Sequence, residues 1–440
     1  MLALILSCGG SPEPLIYSIN NIGPDFVYFL CSKESESEVE KIISDVNYPQ
    51  EKFSIKIVEN HESMDDAFAK SREIIKELEN DYETIHVDFT GGTKPMVAGL
   101  VLAAIGENCS YSYVGSENSE SRDKNGLGVV RNGFELIKEQ KDPYDVFAVM
   151  EFEKGMDFFN RYQFKAASTN FHEANRKLES ENLKELSNLY LDIVEAYDKW
   201  DKFNNKIVNV GLITRSFNKI KDTIDNSDNI KKYLNSEYPD FINQIDNNLE
   251  FLRLKLSQGS AINPEDVPFY LADLLNNAER RIEETKFDDA VARLYRSIEL
   301  IAQLKLVEYG LIDESILHNN SEFKINKAAI LKMNNSDVQD FIDDVGGYNN
   351  KRTIPIPLKK SYELLSILDC ELAIDYLNDK KIKNNINSRN GSILAHGLKA
   401  IKEDKANELY GQVLDYAKRA FPDVEKYMQM SKFPKFKRLS

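Results

Sequence analysis

The sequence has little of what metal and disulfide chemistry needs. Its 440 residues include four cysteines and five histidines, and all of them are widely scattered. No CxxC pair and no HExxH pattern occurs. Zinc sites and disulfide frameworks require such clustered spacings. Metal chemistry through cysteine or histidine is therefore disfavoured, and we expect neither a metal site nor a bound cofactor.

Long apolar segments are also lacking. The longest uninterrupted apolar run, 97–105, is about half the length of a membrane span. The apolar N-terminus, 1–7, has no basic region before it and predicts a buried strand rather than a signal peptide. We therefore expect a cytoplasmic protein that does not engage membranes. At roughly 150 residues per domain, the length suggests about three domains.

Positive charge is scarce. The formal net charge is −16, which opposes broad, nonspecific binding to a polyanion such as nucleic acid. Two basic stretches are local exceptions, one at 380–389 and one at 432–438. Each is as compatible with a basic cleft as with a solvated helix edge or a frayed tail. The sequence leaves these alternatives open.

The first 135 residues alternate short apolar runs with amphipathic helical patterns such as 64–78 and 96–106. This alternation predicts a parallel, Rossmann-like α/β sheet. The polar, glycine-bearing segment 116–126 predicts a loop. The predicted strands are 2–7, 26–30, 53–58, 85–89, 110–114 and 127–130.

Strand signals stop near residue 143, and helical periodicity continues to the C-terminus. Two helical hairpins are predicted, at 155–171 and 277–304. The segment 257–264 is the best candidate for a linker, and 354–357 for a loop. The predicted domains are an α/β domain at 1–140, an all-helical middle region at 141–260 and a C-terminal helical domain at 261–440.

Two glycine-bearing loops follow predicted strands. They are Gly9-Gly10-Ser11-Pro12 after the first strand and Thr90-Gly91-Gly92-Thr93-Lys94 after the fourth. Glycines let the backbone turn tightly, and free amides at a helix start favour a phosphate. Ser11 is a candidate N-cap with Pro12 at the first helical position. Neither loop has the GxxxxGK[ST] or GxGxxG spacing of the common nucleotide-binding motifs.

The positions of these loops are more informative than either loop alone. In the strand order 3-2-1-4-5, strands one and four are neighbours at the point where ligands bind. Each loop alone is equally typical of a tight strand-to-helix turn. Their joint placement favours one pocket for a phosphate-bearing ligand, with hydroxyls from Thr90 and Thr93 and a cation from Lys94.

Near the C-terminus, Arg389 and His396 are seven residues apart. On one helix they would share a face, about 10 Å apart along the axis, with Asn387 or Ser388 as a possible N-cap. A histidine can move protons near neutral pH, and an arginine is a fixed cation that fits phosphate. RNA cleavage needs little else. The spacing also occurs readily by chance, so its surroundings must support it.

Both motifs resemble those of a known family. The two glycine loops are similar to the signature loops of CARF domains, the Rossmann-like sensors of type III CRISPR immunity. The segment around Arg389 and His396 resembles the RxxxxxxH form of the HEPN nuclease motif, in which asparagine often follows the arginine, as Asn390 does here. The arrangement resembles the CARF–HEPN ribonucleases over nearly the whole chain.

The resemblance implies a homodimer that binds cyclic oligoadenylate across its two-fold axis. The implied activity is metal-independent cleavage of single-stranded RNA, leaving a 2′,3′-cyclic phosphate and a 5′-hydroxyl. Each subunit would contribute Arg389, Asn390 and His396 to a composite site. The activator would be bound by Gly9, Gly10, Ser11, Thr90, Gly91, Gly92, Thr93 and Lys94.

Two other hypotheses compete with this one. One is a nucleotide-binding sensor or adaptor whose helical domain is catalytically inactive. The other is a conventional nucleotide-cofactor enzyme, which the missing GxGxxG motif disfavours. The sequence does not decide the ring size of the activator, the RNA preference, or whether the sensor also degrades its activator.

Overall fold

A computed structural model describes residues 1–107, 109–117, 121–122, 130–202, 207–257, 267–312, 324–333, 335–345, 353–390 and 399–437. The chain divides into two compact units. Unit 1 comprises residues 1–150 and 176–180, and unit 2 comprises 151–175 and 181–440. No helix in the described part is long and apolar enough to cross a bilayer.

Unit 1 is built on a six-stranded sheet with the order β3-β2-β1-β4-β5-β6. The first five strands run parallel, and β6 pairs antiparallel with β5. The strands are β1 Leu2–Cys8, β2 Phe26–Ser32, β3 Phe53–Val58, β4 Thr84–Asp88, β5 Cys109–Gly115 and β6 Leu136–Gln140. The predicted Rossmann-like α/β fold and the order of its first five strands are confirmed.

The sixth strand differs from the prediction. Five predicted strands agree closely with β1 to β5, whereas β6 was not predicted because most of its side chains are exposed and it has no apolar run. Of the predicted strand at 127–130, residues 127–129 lie outside the described residues. Val130 forms an isolated bridge with Arg122.

Helices cover both faces of this sheet. Alternate side chains of β1 enter two separate apolar layers, one containing Leu4 and Leu6 and the other Ala3 and Ile5. The expected N-cap at Ser11 is wrong, because Pro12 occupies that position with φ −74° and α1 starts one residue later. The helices are α1 Glu13–Ile22, α2 Glu36–Val46, α3 Met64–Leu78, α4 Lys94–Ala104 and α5 Pro143–Val146.

The remainder of the described chain is mainly helical. The helices are α6 Val149–Asn160, α7 Phe164–Lys177, α8 Glu181–Asp201, α9 Ile207–Asn226, α10 Asp228–Glu237, α11 Pro239–Ser257, α12 Val267–Glu283, α13 Phe287–Glu308, α14 Lys327–Lys332, α15 Ser336–Asp344, α16 Leu358–Ile367, α17 Glu371–Asn378, α18 Lys380–Asn390, α19 Glu403–Ala420 and α20 Val424–Met430. Both predicted hairpins are present, as α6–α7 and α12–α13. Their turns contain Tyr162 and Thr285, each with a φ of 60°.

Two connections in unit 2 bear on the predicted boundaries. Strands β7 Lys324–Asn326 and β8 Thr353–Pro355 form a small antiparallel sheet, so the loop predicted at 354–357 is partly a strand. The predicted linker begins at Ser257, the last residue of α11, and the rest of it lies outside the described residues. The boundaries at 140 and 260 remain predictions.

The C-terminal tail is packed rather than frayed. Phe433 and Phe436 are buried in an apolar core otherwise formed by residues 156–269. The ring of Phe436 stacks on Phe241 with their centroids 4.1 Å apart. Lys435 forms an ion pair with Glu283. The frayed-tail alternative is therefore wrong through residue 437, because aromatic burial fixes the segment.

Candidate functional site

The two glycine loops meet at the carboxyl ends of β1 and β4. The Ser7 hydroxyl donates a hydrogen bond to the Gly91 carbonyl oxygen at 2.6 Å. A Cβ at residue 9 would lie 2.7 Å from the amide nitrogen of Gly92, so only glycine permits this approach. Gly92 itself has a φ of 87°, a left-handed conformation that favours glycine. Both loops are thus held in place by close backbone packing.

A cavity of about 280 Å³ lies between these loops. Four residues predicted from the sequence line it: Gly9, Gly10, Gly92 and Thr93. Six further residues complete the lining: Cys8, Ser32, Glu34, Ser35, His61 and Met96. The prediction that both loops face one pocket agrees with this geometry.

The other predicted ligand residues lie around the cavity without lining it. The Thr90 hydroxyl accepts a hydrogen bond from the Val114 amide at 2.7 Å, which fixes the loop to β5. Gly91 packs against the Ser7 carbonyl. Lys94 is the first residue of α4, is exposed, and has no ion-pair partner among the described residues. It is therefore a cation available to a ligand.

Thr93 ties three parts of the site together. Its hydroxyl oxygen accepts a hydrogen bond from the Met96 amide and so caps α4. The same hydroxyl donates to the His61 carbonyl oxygen on the loop after β3. An N-cap of this kind contributes about 1 kcal/mol to helix stability. Thr93 therefore has a structural role whether or not it also contacts a ligand.

The buried carboxylate of Asp88 holds the start of the second glycine loop. Asp88 is fully buried at the end of β4, and its Oδ1 accepts a hydrogen bond from the Thr90 amide at 2.9 Å. Its Oδ2 accepts from the hydroxyls of Ser18 and Ser112 at 2.9 and 2.8 Å. All three donors are neutral. Asp88 thus fixes the start of the Thr90–Lys94 loop.

His86 extends this network along the sheet. Its Nε2 is 2.8 Å from the Ser112 hydroxyl, and its Nδ1 is 2.7 Å from the Ser110 hydroxyl. Because Ser112 donates to Asp88, it accepts from the histidine, so Nε2 carries the proton. Burial lowers the pKa of His86, and the nearby carboxylates of Asp88 and Glu139 only partly oppose that effect. The neutral ring is therefore favoured.

Sequence reasoning missed the contribution of the loops after β2 and β3. Ser32 ends β2, Glu34 and Ser35 follow it, and His61 follows β3. A signal was present, because the polar run 32–35 follows an apolar strand directly. Parallel strands bring all their carboxyl ends to one edge, so every such loop is a candidate.

The predicted nuclease residues lie at the edge of the described chain. Arg389 and Asn390 are the last two residues of α18, and His396 lies outside the described residues. Asn387 and Ser388 are inside this helix, so the N-cap expected from them is wrong. The helix that carries Arg389 begins earlier, at Lys380, because Ile382 and Ile386 provide a buried face for it.

The buried face of α18 is formed by Ile382 and Ile386. The buried Asn385 donates a hydrogen bond to the Gln412 side-chain oxygen at 3.0 Å, which joins α18 to α19.

The basic stretch at 380–389 is mixed in character. Lys380 and Lys381 are exposed, whereas Lys383 is half-buried and donates to the Leu377 carbonyl oxygen at 2.6 Å. Beyond the undescribed segment, the Ile401 amide donates to the Asp288 carboxylate at 3.3 Å. Among the described residues, no group of three or more His, Cys, Asp or Glu side chains is arranged to hold a metal ion.

Comparison with known families bears on the helical part. Residues 260–420 match the family model of the Csm6 HEPN domain. The match agrees with the HEPN-like class predicted for the C-terminal helical domain. No curated protein sequence matches the chain.

Matches to solved structures are found at low sequence identity. Csm6 of Enterococcus italicus, bound to cyclic hexa-2′-fluoro-hexa-dAMP, has 13% identity and a TM-score of 0.46, with 98% of each chain covered. Can2 of Sulfobacillus thermosulfidooxidans, in complex with cyclic tetra-adenylate, has 13% identity and a TM-score of 0.24, covering 46% of this chain and 66% of Can2. A type III CRISPR defence DNA nuclease activated by cyclic oligoadenylate has 14% identity and a TM-score of 0.24, covering 46% and 34%.

Proposed function

We propose that this chain is an endoribonuclease of type III CRISPR defence that is switched on by cyclic oligoadenylate. The observation that carries the proposal is the match of residues 260–420 to the Csm6 HEPN domain, a ribonuclease domain. The sensor geometry supports the activator: two glycine loops border one cavity, and the exposed Lys94 stands beside it. A cation and free backbone amides suit a phosphodiester ring.

Arg389 and His396 are proposed to carry the cleavage. The 2′-oxygen attacks the neighbouring phosphorus, its proton leaves, and the bond from phosphorus to the 5′-oxygen breaks. The 5′-oxygen then takes up a proton, so the products are a 2′,3′-cyclic phosphate and a 5′-hydroxyl. His396 would move these protons, and Arg389 would stabilise the charge on phosphorus. Asn390 is proposed to assist as a polar neighbour.

The proposed reaction needs no metal ion, because these two side chains supply both proton transfer and positive charge. We further propose a cytoplasmic homodimer in which each subunit contributes one Arg389–His396 pair. Activator binding would then bias a conformational equilibrium shared by both ends of the chain. A two-fold symmetric ring would fit a two-fold dimer and contact Lys94 of both copies.

The direct test is incubation of the purified chain with labelled single-stranded RNA and a panel of cyclic oligoadenylates in EDTA. Cleavage should require a ring of one size and persist in EDTA. His396→Ala should abolish it without loss of ring binding, and Arg389→Ala should reduce it by roughly 100-fold or more. His172→Ala is the matched control, since His172 is exposed on α7 and should be dispensable.

Other outcomes would replace parts of the proposal. Near-normal cleavage by His396→Ala would remove the assigned catalytic pair. Activity that vanishes in EDTA and returns with Mg²⁺ or Mn²⁺ would favour carboxylate-held metals. Ring binding without RNA cleavage would favour the adaptor hypothesis. Degradation of the activator by the sensor is a separate proposal, and intact rings recovered after many turnovers would contradict it.

A further inference from the structure

The cavity in unit 1 is lined by hydrogen-bond acceptors more than by cations. Of the residues that border it, Glu34 carries a full negative charge, and neither lysine nor arginine is among them. Lys94 lies outside the lining, at the start of α4. A phosphate inside the cavity would face the Glu34 carboxylate, whereas a phosphate at the rim could reach Lys94. The interior therefore suits a neutral group that donates hydrogen bonds.

The floor of the cavity is apolar. Met96 and Cys8 are both buried and border it from α4 and β1. Burial raises the pKa of the Cys8 thiol to about 12, so this group is neutral at physiological pH. A thioether and a neutral thiol favour contact with a flat ring over contact with a hydrated sugar. The volume, about 280 Å³, is at the lower end of small-molecule pockets and suits one base rather than a whole ring.

Glu34 borders the mouth of this cavity, with its side chain 74% exposed, and is placed to meet the outer edge of such a base. It lies on the loop directly after β2, opposite His61 on the loop after β3, with 3.7 Å between its Oε2 and His61 Nδ1. Its own backbone amide and the Ser32 hydroxyl hold the pKa of the Glu34 carboxyl below its usual value. The Thr93 hydroxyl, which donates to the His61 carbonyl, fixes the position of the His61 loop.

We propose that Glu34 selects the base of the activator, its carboxylate accepting a hydrogen bond from the exocyclic 6-amino group of one adenine seated in this cavity. The assignment rests on the proposed function for the presence of the ring, and adds which atoms are recognised. The phosphates of the ring remain at the rim, near Lys94 and the glycine-loop amides. His61 closes the cavity on the β3 side and offers an aromatic ring for stacking.

The test compares two rings of the same size, cyclic oligoadenylate and cyclic oligoinosinate, by calorimetric titration of the full chain. Inosine replaces the 6-amino donor by a carbonyl oxygen, which would face the carboxylate. The wild-type chain should bind the inosinate ring roughly 10- to 100-fold more weakly, the range for a hydrogen bond to a charged group. Glu34→Gln should reduce this discrimination to about threefold, because an amide can accept from the amine or donate to the carbonyl.

A matched control and a third ligand separate the alternatives. Glu36→Gln changes an exposed glutamate two residues away that does not line the cavity, and it should keep the wild-type discrimination. A 2′-deoxyadenylate ring should bind the wild type about as well as the ribose ring. A selective loss with that ring, relieved by Glu34→Gln, would assign Glu34 to the sugar and overturn the proposal.

Two further results bear on the assignment. Equal wild-type affinity for adenylate and inosinate rings, or full discrimination by Glu34→Gln, would overturn the role of Glu34 and leave the proposed function standing. Failure of every cyclic oligoadenylate to bind the wild-type chain would instead overturn the proposed function, and the base assignment with it.

Discussion

Two buried aspartates, one in each unit, are stabilised in opposite ways. Asp88 in unit 1 is surrounded by neutral donors: two serine hydroxyls and one backbone amide. Asp201 in unit 2 accepts hydrogen bonds from the guanidinium groups of Arg280 and Arg281 and from the Asn277 amide. The Asp88 carboxylate is thus stabilised by the dipoles of neutral donors. The Asp201 carboxylate is stabilised by two positively charged side chains.

The partners of these two aspartates show different uses of buried polar groups in the two units. Around Asp201, the carboxylates of Asp201 and Glu284 pair with the guanidiniums of Arg280 and Arg281, so the cluster joins α8 to α12 and its charges face one another. Around Asp88, neutral donors hold the loop, and the nearby cation Lys94 stays without an ion pair among the described residues. The Asp201 cluster therefore links helices, whereas the Asp88 network fixes a loop beside an exposed cation.

Asp201→Ala should give the largest effect, a loss of about 3–5 kcal/mol in the free energy of unfolding of unit 2, because among the described residues it leaves the buried Arg280 without an ion pair and Arg281 with Glu284 alone. Arg280 and Arg281 each already have a buried nitrogen with no hydrogen bond among the described residues. Trp200 is the only tryptophan and is buried in this unit, so its fluorescence during urea unfolding reports unit 2.

The control for that measurement is Asp198→Ala on the same helix. Asp198 pairs with Lys202 near the surface, and such pairs contribute at most about 1 kcal/mol. Equal losses of unfolding free energy for Asp201→Ala and Asp198→Ala would show that the buried cluster stabilises unit 2 no more than a surface ion pair does.

Lys94→Ala should change ligand affinity and leave stability unchanged. An exposed lysine with no ion-pair partner among the described residues contributes little to folding, whereas a charge-assisted contact with a phosphate contributes about tenfold or more in affinity. The activation midpoint for cyclic oligoadenylate should rise, and ligand-independent cleavage should stay the same. Lys76→Ala, another exposed lysine near the far end of α3, should alter neither. An unchanged midpoint for Lys94→Ala would mean that the ring binds elsewhere.

Asp88→Asn should cost less than Asp201→Ala, about 1–2 kcal/mol. An asparagine oxygen can still accept from the Thr90 amide, and the hydroxyls of Ser18 and Ser112 can rotate to accept from its amide. Hydrogen exchange of β4 and of the 89–93 loop would follow the change. A loss as large as that of Asp201→Ala would show that Asp88 is stabilised by its charge and not by hydrogen bonding alone.

The smallest effect should be a pH dependence in unit 1. The pKa of His86 is lower in the folded chain than its ordinary value near 6.5, so the unfolded chain binds the proton more readily. The stability that His86 contributes is present above that ordinary value and is lost as pH falls towards the folded pKa. Hydrogen exchange of β4 at pH 7.5 and 5.5 should show the loss, and His86→Gln should reduce it. The same slope in His86→Gln as in wild type would contradict the assignment.

Strand and helix positions could largely be predicted where one physical pattern dominated. The apolar runs of β1 to β5 and the periodicity of α3 matched the structure because buried faces impose strict spacing. Strand β6 was not predicted because it is defined by its hydrogen bonds to β5, and burial of its side chains leaves no pattern in the sequence. The Ser11 cap was wrong because α1 begins at Glu13, so Pro12, which already has helical φ and ψ, stands at the N-cap position instead.

The sequence by itself determined the strand order, the two glycine loops and their meeting at one sheet edge, because local spacing and parallel topology leave few other arrangements. Only the tertiary structure decided what completes the cavity, since Glu34 and His61 come from loops after other strands. It also decided which charged segments are buried or held in place. Asp88 is buried among neutral donors, and the basic tail is fixed by the burial of Phe433 and Phe436. Burial and pairing depend on distant segments, and no single stretch of sequence carries that information.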